Sequence, residues 1–215
     1  MLRTLVWTAA LFLAVLANST SSYACERTKF NGFYAGLSAG YGFGDYEAKY
    51  HGFTYNEIEG SGATAGAYAG YNYQCGKLLY GIEGDGFWSG ISDDVTYDTG
   101  TIELETSYLA SIRARLGYDI GAAMLFATAG VGFTEVESTD ISTDTGRSSL
   151  SDNATGFVFG GGIETMVSSM FSARFEVLHY RFGEVLSASD DMGGKVTIDH
   201  NPTVIRVGGA IHFNN

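Results

Sequence analysis

Charged residues recur at alternate positions inside otherwise apolar or glycine-rich stretches of this sequence. Glu83 and Asp85 are two residues apart, and so are Arg113 and Arg115. In a β-strand, a spacing of two places both side chains on the same face. Paired carboxylates are used in acid–base catalysis, whereas acids that face arginines form ion-pair networks. The complete set comprises Glu83, Asp85, Arg113, Arg115, Glu164, Arg174, Glu176 and Arg206.

The balance of four acids and four arginines argues against catalysis. Arginines beside the carboxylates keep them ionised, whereas an acid–base pair needs two carboxyl groups with different proton affinities. A Ser/His/acid catalytic site along one strand is not indicated either. The residue two positions after His179 is Arg181 and the residue two positions after His212 is Asn214, so neither position holds the serine that such a site needs. The sequence therefore predicts a protein that is not an enzyme.

The stretch 108–118, YLASIRARLGY, shows which kind of element positions these residues. Its even-numbered residues are apolar with a tyrosine at each end, and its odd-numbered residues include both arginines. A transmembrane β-strand of about 9–11 residues has this pattern, with apolar side chains towards lipid, polar ones towards the lumen and aromatics at both interfaces. Because the same residues also fit helical spacing, the assignment depends on repetition elsewhere.

The alternating pattern occurs eight times along the chain. The predicted strands span 32–44, 63–74, 78–88, 108–118, 123–133, 156–166, 173–182 and 203–213. Long polar segments alternate with short turns between them, and the long segments are 45–62, 89–107, 134–155 and 183–202. This rhythm predicts an all-β fold, a closed eight-stranded antiparallel transmembrane β-barrel with short periplasmic turns and four long extracellular loops. Such a barrel has little room inside, which favours a static plug of paired charges over an ion-conducting or gating network.

The first 24 residues are predicted to lie outside the barrel. Arg3 is followed by an apolar run from Leu5 to Leu16 and then by Ser22-Tyr23-Ala24, which places small residues before the expected cleavage point. This is the pattern of a cleaved secretory signal peptide and is too short for a membrane helix. The chain is therefore divided into a signal peptide, 1–24, and an outer-membrane barrel domain, 25–215.

The overall charge excludes one class of partner. The 215-residue chain has 12 basic and 24 acidic side chains, which gives a net charge of −12. Nucleic-acid binding depends on contacts from lysine and arginine to phosphates. Nucleic acid is therefore not an expected partner.

The two cysteines fall on the same predicted side of the membrane. Cys25 precedes the first strand, and Cys75 lies in the first short turn. Both would face an oxidising compartment, in which disulfides persist. A bridge would tie the N-terminal lead to the base of the barrel, and the sequence leaves its formation open because spacing does not give the distance between the two residues.

Five segments carry a resemblance to a known family. They are NGFYAGLSAGYGFG, YGIEGDGFWSG, SYLASIRARLGYD, GFVFGGGIE and ARFEVLHYRFG. They resemble the eight-stranded outer-membrane immunogenic proteins of alphaproteobacteria, also called the porin family, over residues 30–213. The resemblance implies an outer-membrane location in a Gram-negative cell, variable surface loops and a structural role in the envelope. In some relatives it implies haem binding, for which His51 and His200 in the outer loops are the candidate ligands; no metal or other cofactor is expected.

These observations predict a structural surface protein that supports envelope integrity and presents surface antigens. The alternatives are a surface receptor for haem or another small ligand, which would use the outer loops, and a narrow porin-like channel. Expected partners are outer-membrane lipids and lipopolysaccharide. Peptidoglycan-associated envelope components and host surface components are further candidates.

Overall fold

The computed structural model of the chain describes residues 28–50, 53–97, 100–142, 146–182, 184–189 and 195–213. These residues form ten β-strands joined by turns. The strands are β1 (Gly32–Tyr50), β2 (Phe53–Cys75), β3 (Leu78–Tyr97), β4 (Gly100–Asp119), β5 (Met124–Ser142), β6 (Gly146–Met166), β7 (Phe171–Arg181), β8 (Glu184–Ser189), β9 (Lys195–His200) and β10 (Thr203–Phe213). The described part of the chain contains no helix that is long and apolar enough to cross a membrane.

Eight of the ten strands close into an antiparallel barrel. β1 to β7 pair in chain order, and β10 pairs with both β7 and β1, so the sheet closes on itself. β8 and β9 form a separate hairpin, and β9 pairs with the last residues of β1, from Tyr46 to Tyr50. The predicted closed eight-stranded antiparallel barrel is confirmed.

Side chains alternate between the lumen and the outer surface along the barrel strands. β7 and β10 show this directly, since buried and exposed residues follow one another with a period of two over most of their length. In β4, Leu109, Ser111 and Arg113 are buried, whereas Ile112 between them is 57% exposed. The buried side chains thus include charged ones and the exposed side chains are apolar. This inverted arrangement suits a barrel that is surrounded by lipid.

Exposed aromatic side chains form a ring at each end of the apolar band. The ring near the short turns comprises Phe33, Tyr71, Tyr73, Tyr80, Tyr118 and Phe171. The opposite ring comprises Tyr41, Phe43, Trp88, Tyr108, Phe133 and Phe157. Rings of this kind lie at the two membrane–water interfaces of outer-membrane barrels.

The short turns contain residues that permit a sharp reversal of the chain. Gly76 between β2 and β3 has φ 60°, and Gly121 between β4 and β5 has φ 95°. Glycine adopts these left-handed conformations without the steric penalty of a Cβ atom. The Asp119 carboxylate also accepts a hydrogen bond from the backbone N–H of Gly121 at 2.7 Å. These turns hold adjacent strands in the register that brings the lumen side chains together.

The strands run further than the sequence predicts. The segments 45–62, 89–107 and 134–155 were expected to be irregular, but they are mainly extensions of β1 to β6 that remain paired beyond the apolar band. Part of 183–202 forms the β8–β9 hairpin. Alternation is absent there because a hairpin in water can be polar on both faces, whereas backbone pairing continues, helped by β-branched residues. The predicted strand ends at Gly44, Ala63, Trp88, Tyr108, Phe133 and Gly156 are therefore wrong.

Candidate functional site

Five strands place the charged side chains in the lumen, and glycines on neighbouring strands make room for them. Arg113 on β4 lies opposite Gly130 on β5, and Arg206 on β10 lies opposite Gly40 on β1. A Cβ atom at Gly130 or Gly40 would overlap the facing backbone, including the Cα of the arginine itself. The glycine-rich faces noted in the sequence thus allow close strand approach around a crowded interior.

Arg113 occupies the centre of the charge network. Its guanidinium contacts Glu83 at 2.5 Å, Asp85 at 2.7 Å and Glu176 at 3.2 Å, and its side chain is fully buried. Glu83 lies directly opposite Arg113 in the β3–β4 register. Glu176 reaches it from β7. One arginine therefore binds carboxylates from two separate parts of the barrel wall.

Arg206 binds two of the carboxylates that Arg113 binds. Its guanidinium contacts Glu176 at 2.7 Å and Asp85 at 2.9 Å. The guanidinium carbon also lies 4.3 Å from the centre of the Phe87 ring, a distance suited to a cation–π contact. Asp85 additionally accepts a hydrogen bond from the Ser111 hydroxyl at 2.7 Å. Asp85 and Glu176 therefore each have more than one hydrogen-bond donor.

Arg174 links the centre to a second group of charges. It contacts Glu83 at 2.6 Å and Glu164 at 3.2 Å. Arg115 contacts Glu164 at 2.5 Å. The alternation of β3 and β4 predicts that Arg115, like Arg113, lies near Glu83 and Asp85 across the hairpin, but Arg115 lies opposite Gly81 and binds Glu164 on β6. The four arginines and four acids thus form one connected and formally neutral network.

Two further polar side chains, Ser172 and His212, extend the network towards the short turns. His212 Nε2 lies 3.0 Å from Ser172 Oγ and 3.1 Å from Glu164 Oε1. The Ser172 hydroxyl also donates to Glu164 at 2.6 Å. Ser172 lies across the β6–β7 hairpin from Glu164, eight residues further along the chain, whereas His212 joins them from β10, 40 residues after Ser172. Only the inward parity of His212 was visible in the sequence.

The Ser172, His212 and Glu164 cluster does not have the geometry of a catalytic triad. In a triad the two ring nitrogens have different partners, the nucleophile and the acid. Here the same nitrogen, Nε2, contacts both the hydroxyl and the carboxylate, while Nδ1 is buried without a hydrogen-bond partner among the described residues. Glu164 is also held by two arginines. This arrangement favours a fixed polar contact over proton transfer.

Apolar clusters cover the charge network at both ends of the lumen. The cluster on the side of the long hairpins comprises Phe87, Ile91, Leu109, Ala154, Val158, Leu178, Tyr180, Phe182 and Val204. The cluster on the side of the short turns comprises Phe30, Leu79, Met124 and Phe126. Phe30 precedes β1 and is fully buried, so its ring helps to fill the base of the barrel. The lumen therefore contains an ionic layer between two apolar layers.

The remaining predicted site residues are only partly described. Cys75 at the end of β2 is disulfide-bonded, but Cys25 lies outside the described residues and the pairing of these two residues stays a prediction. His51 and the predicted signal peptide, 1–24, also lie outside them. His200 ends β9, where its backbone pairs with Tyr46. Among the described residues, no group of three or more His, Cys, Asp and Glu side chains could hold a metal ion.

Comparisons with known proteins identify the family. Residues 10–213 match the family model of the outer membrane protein beta-barrel domain. The chain is 30% identical over 183 residues to the 22 kDa outer membrane protein of Rhizobium leguminosarum bv. viciae, which covers 85% of this chain and 77% of that protein. It is 31% identical over 180 residues to the 25 kDa outer-membrane immunogenic protein of Brucella canis, which covers 82% and 76%.

A solved structure supports the same fold. The outer membrane protein OprG from Pseudomonas aeruginosa superposes with a TM-score of 0.53 at 13% identity, covering 86% of this chain and 97% of that one. At this identity the likeness concerns the fold alone. The same family is indicated by the family model, by the two relatives and by a barrel with an apolar outer surface. The resemblance predicted from the sequence is confirmed. The chain belongs to the outer membrane protein β-barrel family.

Proposed function

We propose that this outer-membrane protein is a non-conducting and non-catalytic structural barrel that supports envelope integrity and presents its outer hairpins at the cell surface. The observation that carries the proposal is the filled lumen. Eight charges bind one another between two apolar clusters. A channel needs a polar path along its whole length, and an eight-stranded barrel packed in this way leaves little space for one.

The long hairpins support the surface role. β1 to β6 continue in pairs beyond the outer aromatic ring, and the β8–β9 hairpin joins them at the end of β1. These segments are acidic and lie at the end opposite the short turns. Short turns on the periplasmic side and long connections outside are the usual orientation of such barrels. The name of the Brucella canis relative, an immunogenic protein, agrees with surface presentation.

Conductance measurements test the sealed lumen. The full-length protein, refolded and inserted into planar lipid bilayers, is expected to give no reproducible single-channel steps. Regular steps would contradict the proposal. If steps appear and their amplitude changes in Arg206→Gln but not in the lipid-facing control Ile205→Ala, the ion path runs through the lumen and the protein is a narrow channel.

Envelope integrity is tested in cells. A strain that lacks the gene is expected to become more sensitive to detergents and to bulky antibiotics, and expression of the wild-type chain should restore resistance. Protease added to intact cells should cut the outer hairpins while the barrel remains protected. Unchanged sensitivity together with protected hairpins would contradict both parts of the proposed role.

The haem or small-ligand receptor remains an alternative that a titration can test. Refolded protein in detergent would be titrated with haem and followed by absorbance, with the heat-unfolded protein as control. Saturable binding by the folded form only, lost on replacing His51 or His200, would establish the receptor. Equal weak binding by both forms would leave the structural role in place.

A further inference from the structure

Arg181 differs from the other arginines whose side chains the structure describes. Four of these five arginines lie in the lumen and bind carboxylates, whereas Arg181 is exposed on the outer face of β7. Among the described residues it has no ion-pair partner. An exposed cation on the lipid-facing wall, without an acidic partner in the described part of the chain, is unusual in a protein with a net charge of −12. Its position and surroundings suggest what it binds.

The length of β7 places Arg181 at the outer boundary of the apolar band. β7 begins at Phe171, an exposed aromatic of the ring near the short turns, and ends at Arg181. At a rise of about 3.3 Å per residue and a tilt of about 40°, ten residues span roughly 25 Å along the barrel axis. This distance equals the approximate height of the apolar band of an outer-membrane barrel. Arg181 therefore lies at the headgroup level of the outer leaflet.

Arg181 lines a surface cavity. The cavity has a volume of about 400 Å³ and is lined by Thr155, Gly156, Phe157, Arg181, Phe182 and Asn201. The guanidinium, the threonine hydroxyl and the asparagine amide are hydrogen-bond donors, and the lining contains no carboxylate. Phe157, which pairs with Arg181 across the β6–β7 register, is 73% exposed and gives the cavity an apolar wall. The cavity thus combines donors for an anion with a surface for a hydrocarbon chain.

Another polar residue, His179, lies outside the cavity on the same face of β7. His179 lies two residues before Arg181 on the same face, and its Nδ1 is 2.9 Å from Thr203 Oγ1 on β10. Its ring also packs against Phe159 at 5.1 Å between centres. These two contacts fix the orientation of the imidazole. Polar side chains on a lipid-facing wall are disfavoured unless they meet the headgroup region or a polar ligand.

We propose that the Arg181 cavity binds the phosphate group of a phosphorylated lipid in the outer leaflet, with Thr155 and Asn201 as additional donors. Arginine binds phosphate through two parallel hydrogen bonds, and this geometry suits an anion held at a membrane interface. Lipopolysaccharide presents such phosphates next to acyl chains, and the exposed Phe157 wall faces the same environment. The proposal rests on the outer-membrane placement of the barrel and is independent of whether the lumen conducts.

Lipid binding by the refolded full-length barrel in detergent tests the proposal. Native mass spectrometry would measure the affinity for diphosphorylated lipid A and for the same lipid after removal of its phosphates. Wild-type protein is expected to prefer the phosphorylated form. Arg181→Gln should weaken that binding by about tenfold, the equivalent of about 1.4 kcal/mol, and Arg181→Lys should retain part of it because the charge remains. Heat-dependent gel mobility would verify that each variant is folded.

Lys77→Gln is the matched control. Lys77 is an exposed cation in the β2–β3 turn at the opposite end of the barrel, so its replacement changes the net charge equally without touching the cavity. An equal loss of binding in Lys77→Gln, or no loss in Arg181→Gln, would overturn the proposal. Equal affinity for the dephosphorylated lipid would also overturn it. Displacement of the lipid by an equal concentration of inorganic phosphate would show a free-anion site and overturn the assignment to lipid.

Discussion

Glycine occurs on both faces of the barrel wall, but the two faces give it opposite roles. At Gly130, which faces the lumen, an added Cβ atom would overlap the carbonyl oxygen of Ile112 and the Cα of Arg113. At Gly86, which faces outward, an added Cβ atom would meet no atom within 4 Å. The lumen face is thus a packed interior with specific partners, whereas the outer face around Gly86 only has to remain apolar. Substitutions on the two faces should differ accordingly.

The largest difference is expected between two adjacent residues of β4. Arg113→Met removes the arginine that binds Glu83, Asp85 and Glu176, and it leaves buried carboxylates with fewer donors. Loss of one partner of a buried ion pair lowers the free energy of unfolding by about 3–5 kcal/mol. The neighbouring change Ile112→Ala, on the lipid face, should lower it by about 1 kcal/mol or less. Urea unfolding of the refolded barrel in detergent measures both, and equal stability of the two variants would contradict the idea of a paired plug.

A smaller difference is expected between the two glycines. Gly130→Ala forces the β4–β5 backbone to shift, and overpacking of this kind lowers the free energy of unfolding by about 1–3 kcal/mol. Gly86→Ala adds a methyl group to open space and should change it by less than about 0.5 kcal/mol. The same urea titration compares the two variants. If Gly86→Ala were as destabilising as Gly130→Ala, Gly86 would have a close packing partner on the outer face, which would contradict its open surroundings.

The smallest effect is expected at the edge of the charge network. Ser172→Ala removes the hydroxyl that donates to Glu164 and contacts His212, but both arginine contacts to Glu164 remain. The free energy of unfolding should fall by about 1 kcal/mol, the usual contribution of a single hydrogen bond. Ser169→Ala, in the exposed turn between β6 and β7, is the control and should have no measurable effect. A loss as large as that of Arg113→Met would mean that Ser172 has a further role.

The sequence predicts those features that depend on neighbours along one strand or across one hairpin. Period-two alternation identifies the eight membrane strands and the direction of their side chains, and the β3–β4 hairpin brings Glu83 opposite Arg113. Alternation carries no signal where both faces of a hairpin are polar, which is why the sequence predicts β1, β3 and β5 to end too early and β2, β4 and β6 to begin too late. Hydrophobic patterns report the environment of a strand and not its pairing.

Contacts across the lumen could not be derived from the sequence. Arg115 on β4 binds Glu164 on β6, and Arg113 on β4 binds Glu176 on β7. These pairs depend on the tilt and stagger with which the closed sheet brings side chains to the same height. No local spacing encodes those quantities. Alternation within β7 places Arg181 on the lipid face, but the cavity beside it also involves Asn201, which precedes β10.

The long separation of the lumen contacts along the chain has a consequence for how the barrel folds. Arg174 and Glu83 are 91 residues apart, and Arg206 and Asp85 are 121 residues apart. Such contacts cannot form until β10 has reached β1, so these charges remain solvated in any open sheet and lose water only when the barrel closes. Dominance of distant contacts slows folding. We therefore expect closure to be a late, cooperative step in which the ionic layer and the base around Phe30 form together.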